Sequence, residues 1–204
     1  MKNFNPVRLM LVLVFFSIGC APAGPEFVDL SYTGGGGPSG SGKIGIAKFK
    51  DARENTGEGY IGFRELSFNR EETYFVEGLD LAASVTRAVV SYLEQSGYDC
   101  SAIEKWDFSE SGMKNASDRF DYIIGGEILS FDCTARKNTT THIQMEISLV
   151  IHLGDVTEQE LKSVPIEFDL ERREIKLSVR KMENMLNRSL EEVIENALNS
   201  NLSA

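Results

Sequence analysis

The stretch Thr140-Thr141-His142-Ile143-Gln144-Met145-Glu146-Ile147-Ser148-Leu149-Val150-Ile151-His152-Leu153 alternates along its length. Ile143, Met145, Ile147, Leu149, Ile151 and Leu153 fall on one side, and His142, Gln144, Glu146, Ser148, Val150 and His152 on the other. A period of two is that of a β-strand, so this is a strand with one apolar and one mainly polar face. Its sheet is therefore expected to be covered on one side only. Val164, Ile166, Phe168 and Leu170 continue the alternation, and Pro165 opposite them predicts an edge strand, because proline has no N–H for the ladder.

Working outward, Asp121 to Phe131 and Lys43 to Lys50 are apolar on both faces, as strands inside a sheet are. Tyr98 to Ile103 is a further short strand. Leu81, Val85, Ala88, Val89, Tyr92 and Leu93 form one stripe at helical spacing within 78–96, and Gly97 is a natural stop. Ser178 caps a last helix with Met182, Met185, Leu186, Leu190, Val193, Ile194 and Ala197 as its buried stripe. Residues 107–118 are polar and suit a helical turn. This order predicts an α/β two-layer sandwich, a mixed sheet of about five strands with two helices on one face. The strand after the first helix pairs parallel to the first through a right-handed crossover, and the later strands meander. No periodicity holds from Asp51 to Val76. A structureless connection that long is unusual in a compact domain, so Tyr60-Ile61-Gly62-Phe63 and Phe68 are assigned to short strands or a flap.

At the N-terminus, Lys2 and Arg8 precede an unbroken apolar run from Leu9 to Phe16. The run falls short of the roughly 20 residues of a transmembrane helix and reads as an export signal over residues 1–19. Ser17-Ile18-Gly19-Cys20 resembles the bacterial lipobox, which implies diacylglycerol on the Cys20 sulfur and cleavage just before it. Ser17 stands where leucine is usual, and Ala21-Pro22-Ala23 offers ordinary signal peptidase an A-x-A site, so simple secretion is the competing reading. Residues 20–42 are read as the lipidated cysteine and a Gly/Pro/Ser-rich tether that holds a single α/β domain, 43–204, about 25 Å from its anchor. Within the tether, 37–44 nearly spells a phosphate-binding loop. It leads into a strand rather than opening a helix, and Ile44 replaces the metal-ligating hydroxyl, so nucleotide binding is set aside.

Without Lys2 and Arg8, 19 basic residues face 31 acidic ones, a balance that argues against a nucleic-acid or anionic-lipid surface. With Cys20 committed to lipid, Cys100 and Cys133 remain in an envelope compartment, either as a disulfide or as two buried thiols.

The segments 44–53, Ile61-Gly62, Leu93-Glu94-Gln95-Ser96-Gly97-Tyr98 and 121–128 together resemble the YajG-like bacterial envelope lipoproteins and, more loosely, the auxiliary lipoproteins of ABC-type lipid-transport systems. The resemblance spans Cys20 to about Leu153. It implies an export signal, a small α/β domain and no enzymatic activity, with no catalytic residues to carry over. Ala21 after the cysteine, where enterobacterial sorting would use aspartate for inner-membrane retention, implies the outer membrane facing the periplasm.

The residues themselves suggest no catalytic set, metal site or cofactor. His142 and His152 lie about 33 Å apart along one strand, too far to share a metal, and both are read as surface residues. Asp51 and Arg53 suit a local ion pair at the start of the flap. The flap concentrates Arg53, Tyr60, Phe63, Arg64, Phe68, Arg70, Tyr74 and Phe75, residue types enriched at interface hot spots. It is expected to face a protein partner; the competing reading folds its rings back under the first helix as satellite core. Two function classes follow. One is a non-catalytic, lipid-anchored envelope protein that docks onto an assembly or lipid-transport system. The other is a periplasmic hydrolase or small-ligand binder, which would need a deep pocket with converging polar groups.

Overall fold

The computed structural model describes residues 24–54, 56–67, 70–104, 106–115 and 119–202. Its strands are β1 (Glu26–Val28), β2 (Lys43–Ala47), β3 (Lys50–Asp51), β4 (Tyr60–Leu66), β5 (Arg70–Val76), β6 (Asp99–Ile103), β7 (Tyr122–Lys137), β8 (Thr141–Asp155) and β9 (Glu160–Glu174). The helices are α1 (Leu81–Gln95), α2 (Glu110–Lys114) and α3 (Val179–Leu202), and a 3-10 turn spans Glu77–Leu79. The five-strand, two-helix sandwich is thereby corrected. All nine strands join one mixed sheet, and three helices accompany them among the described residues.

β7 organises the sheet. One edge pairs antiparallel with β8 from Tyr122↔Asp155 to Lys137↔Thr141. The other edge is shared, all parallel, by β2 at Tyr122–Ile124, β3 at Glu127–Ile128 and β4 at Cys133–Ala135. β6 extends the sheet beyond β2 in parallel, β5 and then β1 extend it beyond β4, and β9 closes the far side as an edge strand against β8, with Pro165 opposite Val150. The extra strands come from the two stretches that show no helical or long β-pattern. The flap is the β4–β5 hairpin, and part of the tether is β1.

Helices α1 and α3 cover one face. Leu81, Val85, Val89 and Leu93 of α1 and Met182, Leu186, Leu190, Val193 and Ile194 of α3 are all 0–2 % exposed. Asp80 caps α1 by accepting from the Ala83 N–H at 2.9 Å, and Gly97 ends it at φ 96°. The opposite face is not bare, as a one-sided sheet would be. Ala47, Trp106, Met113, Ile123 and Val156 form a second, smaller core there, under the loop that carries α2.

A bulge between Ile128 and Ser130 decides which β7 side chains enter the main core. Ile124 and Ile128 point inward before it, and Phe131, Cys133 and Ala135 after it, so the inward set switches from even to odd numbers while β8 keeps its odd residues throughout. Leu129 is left 48 % exposed.

The described part of the expected tether is an ordered strap. Val28, Leu30 and Tyr32 are 0 %, 1 % and 5 % exposed within the main core. Beyond β1 the chain is held by one polar row of α3 spaced at four residues, which shares a face. Asn187 bonds the Ser31 N–H and the Asp29 carbonyl, Glu191 accepts from the Thr33 N–H and hydroxyl at 2.7 Å, and Glu195 accepts from the Tyr32 hydroxyl at 2.8 Å. Burial, with help from Glu195, pushes the Tyr32 hydroxyl up to about 12. The strap then crosses the end of α1, where the Gly37 N–H reaches the Ser96 hydroxyl and the Gly40 N–H the Ser96 carbonyl, both at 2.7 Å. Gly36, at φ 77°, passes so close that a Cβ would sit 2.7 Å from the Gln95 carbonyl carbon. The glycines that read as flexibility serve close approach.

A strap inside the core makes a prediction that a tether does not. Leu30→Ala should lower unfolding free energy by about 2–5 kcal/mol in urea titration, where a solvated tether residue would change it by less than about 0.5.

Candidate functional site

Strand alternation divides the expected partner-facing residues into two sets. On the helix-covered side of β4 and β5, Tyr74 is fully buried and its hydroxyl donates to Glu72 at 3.0 Å. Glu72 pairs with Arg64 at 2.5 Å, and Arg64 donates to the Leu177 carbonyl at 2.6 Å, with side chains 9 % and 14 % exposed. Burial pushes the Tyr74 hydroxyl far above its ordinary range. This network ties the hairpin to the chain entering α3 and is not available to a partner. Arg53 is also internal. It forks onto both Asp51 oxygens at 2.8 Å and donates to the Tyr60 and Phe131 carbonyls. The Arg53 hydrogen bonds hold the Asp51 carboxyl below the usual range. Arg53, Arg64 and Tyr74 are therefore corrected from partner contacts to structural pins, and Phe68 lies outside the described residues.

The other side of the hairpin is open. Tyr60, Phe63 and Phe75 are half-buried there. Phe75 packs edge-on to Tyr60 with ring centroids 5.9 Å apart and meets Phe27 of β1 at 6.1 Å. Phe27 is 51 % exposed and is the level partner of Phe75. The result is an aromatic row across β1, β5 and β4. Reading residues 20–42 as a tether hid Phe27, although the alternation of Val28, Leu30 and Tyr32 was there to be seen.

At the hairpin tip, two adjoining open grooves of about 490 and 460 Å³ meet at Leu66 and Lys137. Arg70 lines the first, and Lys176 and Leu177 the second, where Ile175 stands 86 % exposed. Among the described residues of the expected partner set, Arg70 alone is exposed, at this tip.

Cys100 and Cys133 are free. Cys100 and Tyr122 are both level with Ile44, and Cys133 lies eleven residues further along β7. That is roughly 35 Å at 3.3 Å per residue, far beyond the Cα separation of about 7 Å that a bridge tolerates. The disulfide reading is overturned. Burial pushes the Cys100 thiol up to about 11, and the Cys133 thiol, 2.9 Å from the Met182 sulfur, higher still.

His152 departs from its surface reading, with its side chain only 13 % exposed. Its ring stacks on Phe108 at 4.3 Å, Nδ1 lies 2.8 Å from the Ser163 hydroxyl, and Nε2 lies 3.8 Å from Glu127. Lys50 sits 4.1 Å from the centre of the same Phe108 ring. Burial outweighs the Glu127 carboxylate and lowers the His152 pKa, so the ring is neutral at pH 7. Nε2 is buried and makes no hydrogen bond, so the pair with Glu127 does not form a proton relay. Ser163 is exposed on the edge strand, and among the described cavities none is lined by it. Among the described residues no group of His, Cys, Asp and Glu is arranged to hold a metal ion.

No protein-family model matches the chain, and no curated protein matches it. Among solved structures, protein XCC0632 from Xanthomonas campestris, assigned to family DUF330, superposes with a TM-score of 0.54 at 13 % identity, covering 87 % of this chain and 94 % of that one. A neuraminyllactose-binding hemagglutinin homolog from Helicobacter pylori gives a TM-score of 0.47 at 10 % identity, over 84 % and 88 % of the two chains. PelC from Paraburkholderia phytofirmans, a dodecamer, gives 0.39 at 10 % identity, over 84 % and 96 %. The likeness to XCC0632 is one of fold.

The split between pins and open residues is measurable by heat. Tyr74→Ala should lower the thermal midpoint by roughly 10 °C, as a loss of about 3–5 kcal/mol does in a domain this size. Phe27→Ser, on the open side, should shift it by less than about 2 °C.

Proposed function

We propose that this protein is a non-catalytic lipoprotein of the bacterial envelope, anchored through lipid on Cys20 in the outer membrane and facing the periplasm, where it serves as a docking or accessory component of an envelope assembly or lipid-transport system. The observation that carries the reading is the pairing of a lipobox-like Ser17-Ile18-Gly19-Cys20 with a folded domain whose first strand begins at Glu26. Cys20 itself lies outside the described residues. The resemblance to YajG-like and ABC-type auxiliary lipoproteins supports the same reading.

The grooves at the hairpin tip are the partner site in this account. Exposed Ile175 supplies an apolar anchor, Leu66 lines the groove beside it, and Arg64, Arg70, Lys137 and Lys176 outnumber the Glu65 and Glu71 carboxylates that line the same grooves, on an otherwise acidic protein. Apolar anchors with basic side chains around them suit an acidic protein surface, and such complementarity steers association.

In the native host, labelled palmitate should enter the chain and mature protein should begin at Cys20, while Cys20→Ala should leave it soluble or unprocessed. Crosslinking in intact envelopes should capture a discrete partner that Ile175→Glu with Lys137→Glu loses at an unchanged thermal midpoint. Mature protein that begins at Gly24 and partitions into water would refute the anchor, and capture indifferent to both substitutions would refute the partner site.

A further inference from the structure

The strap shortens the distance between anchor and domain. With the chain from Asp29 to Gly40 bonded to α3 and the end of α1, the domain begins at β1, and Phe27 is only seven residues from Cys20. Seven extended residues span at most about 25 Å. Phe27 therefore lies within that radius of the anchor wherever the intervening residues run, and the Phe75 and Tyr60 rings follow it at spacings of 6.1 and 5.9 Å. Leu79, 38 % exposed, packs against Gly59 beside Tyr60 and extends the apolar area.

We propose that this open side of β1, β5 and β4 rests on the bilayer that carries the Cys20 lipid, with Phe27 and Phe75 seated at the depth of the headgroups and first acyl carbons. The proposal builds on the lipid-anchor reading. Exposed phenylalanine rings gain by burial at the headgroup and acyl boundary, and a tyrosine such as Tyr60 suits the interface because its ring is apolar and its hydroxyl wet. A single chain-borne lipid signal gains when a second apolar contact adds to it, because a short link holds the second contact at high local concentration. Charge narrows the lipid. Glu71 shares the face of Phe75 on β5, Asp132 and Glu71 both act electrostatically on Tyr60, and Glu77 follows the strand, so the surface suits zwitterionic rather than anionic headgroups. The grooves are lined in part by Leu66 and Arg70 of the same hairpin, but these pair at its tip, at the opposite end of β4 and β5 from Tyr60 and Phe75, so this contact would leave the grooves free for the protein partner.

The test uses full-length lipidated protein in vesicles of phosphatidylethanolamine and phosphatidylcholine, with Phe27→Trp as the reporter. Trp106, the one native tryptophan, is 6 % exposed in the second core and serves as an internal reference. Lipids brominated near the headgroup end of their acyl chains should quench the added emission by half or more, leave wild-type Trp106 emission unchanged, and act equally on Phe75→Trp. Phosphatidylglycerol should weaken the quenching. Unquenched emission at both positions, with Cys20 shown by mass to be lipidated, would overturn this inference and leave the anchor standing. A mass that shows bare Cys20 would overturn both. Photocrosslinking from Thr73 that yields a protein adduct and no lipid adduct would assign the surface to a protein instead.

Discussion

Sixteen residues of β7 hold two filled edges, and most of the molecule is placed by how they are filled. A buried strand must pair every backbone donor and acceptor along its length. One neighbour, β8, does this on the first edge; on the second, three short parallel segments follow one another because no single strand there is long enough. The chain must therefore return to the same edge repeatedly. Each return fixes something: β2 brings α1 and β6, and β4 brings β5 and β1. The approach at Gly62, φ 135°, is so tight that its Cα touches the Cys133 backbone with no room for a Cβ.

The same economy governs charge. The acidic excess suggests a uniformly solvated surface, yet part of it is committed to internal work. Glu191 and Glu195 receive the strap, Glu72 neutralises a nearly buried Arg64, and Asp51 orients Arg53 toward two carbonyls. Removing one partner of such a pair leaves the other charge or donor unsatisfied in a poorly hydrated site, which costs more than the pair itself contributes. Those residues are constrained by folding.

Long periodic elements were legible in the sequence. Ile143 to Leu153 announces β8, both helix stripes are buried as their spacing implies, and Pro165 lies on an edge strand. What escaped did so for physical reasons. The β5 alternation is Glu72, Tyr74, Val76, and a charged residue at an inward position disguises the pattern until Arg64 is seen to neutralise it. β1 has three residues and borrows its stability from β5. The bulge at Leu129 changes parity in mid-strand, which no fixed period can follow. For the site, residue types do not show which way a side chain faces: strand alternation turns Arg64 and Tyr74 inward, Arg53 folds in against Asp51, and Phe27 stands among neighbours of linker composition.

Residues 26–42 belong to the folded domain and not to a tether, which is the central claim. Amide hydrogen exchange resolved at single residues reads this directly. The N–H groups of Ser31, Thr33, Gly37 and Gly40 each bond to a side chain or carbonyl of the helical layer, and none to its own segment. The account predicts that they exchange at least a hundredfold more slowly than an unstructured chain and lose protection together with α3 as denaturant is added. Exchange at the unstructured rate, with α3 still protected, would contradict it and return the segment to a tether.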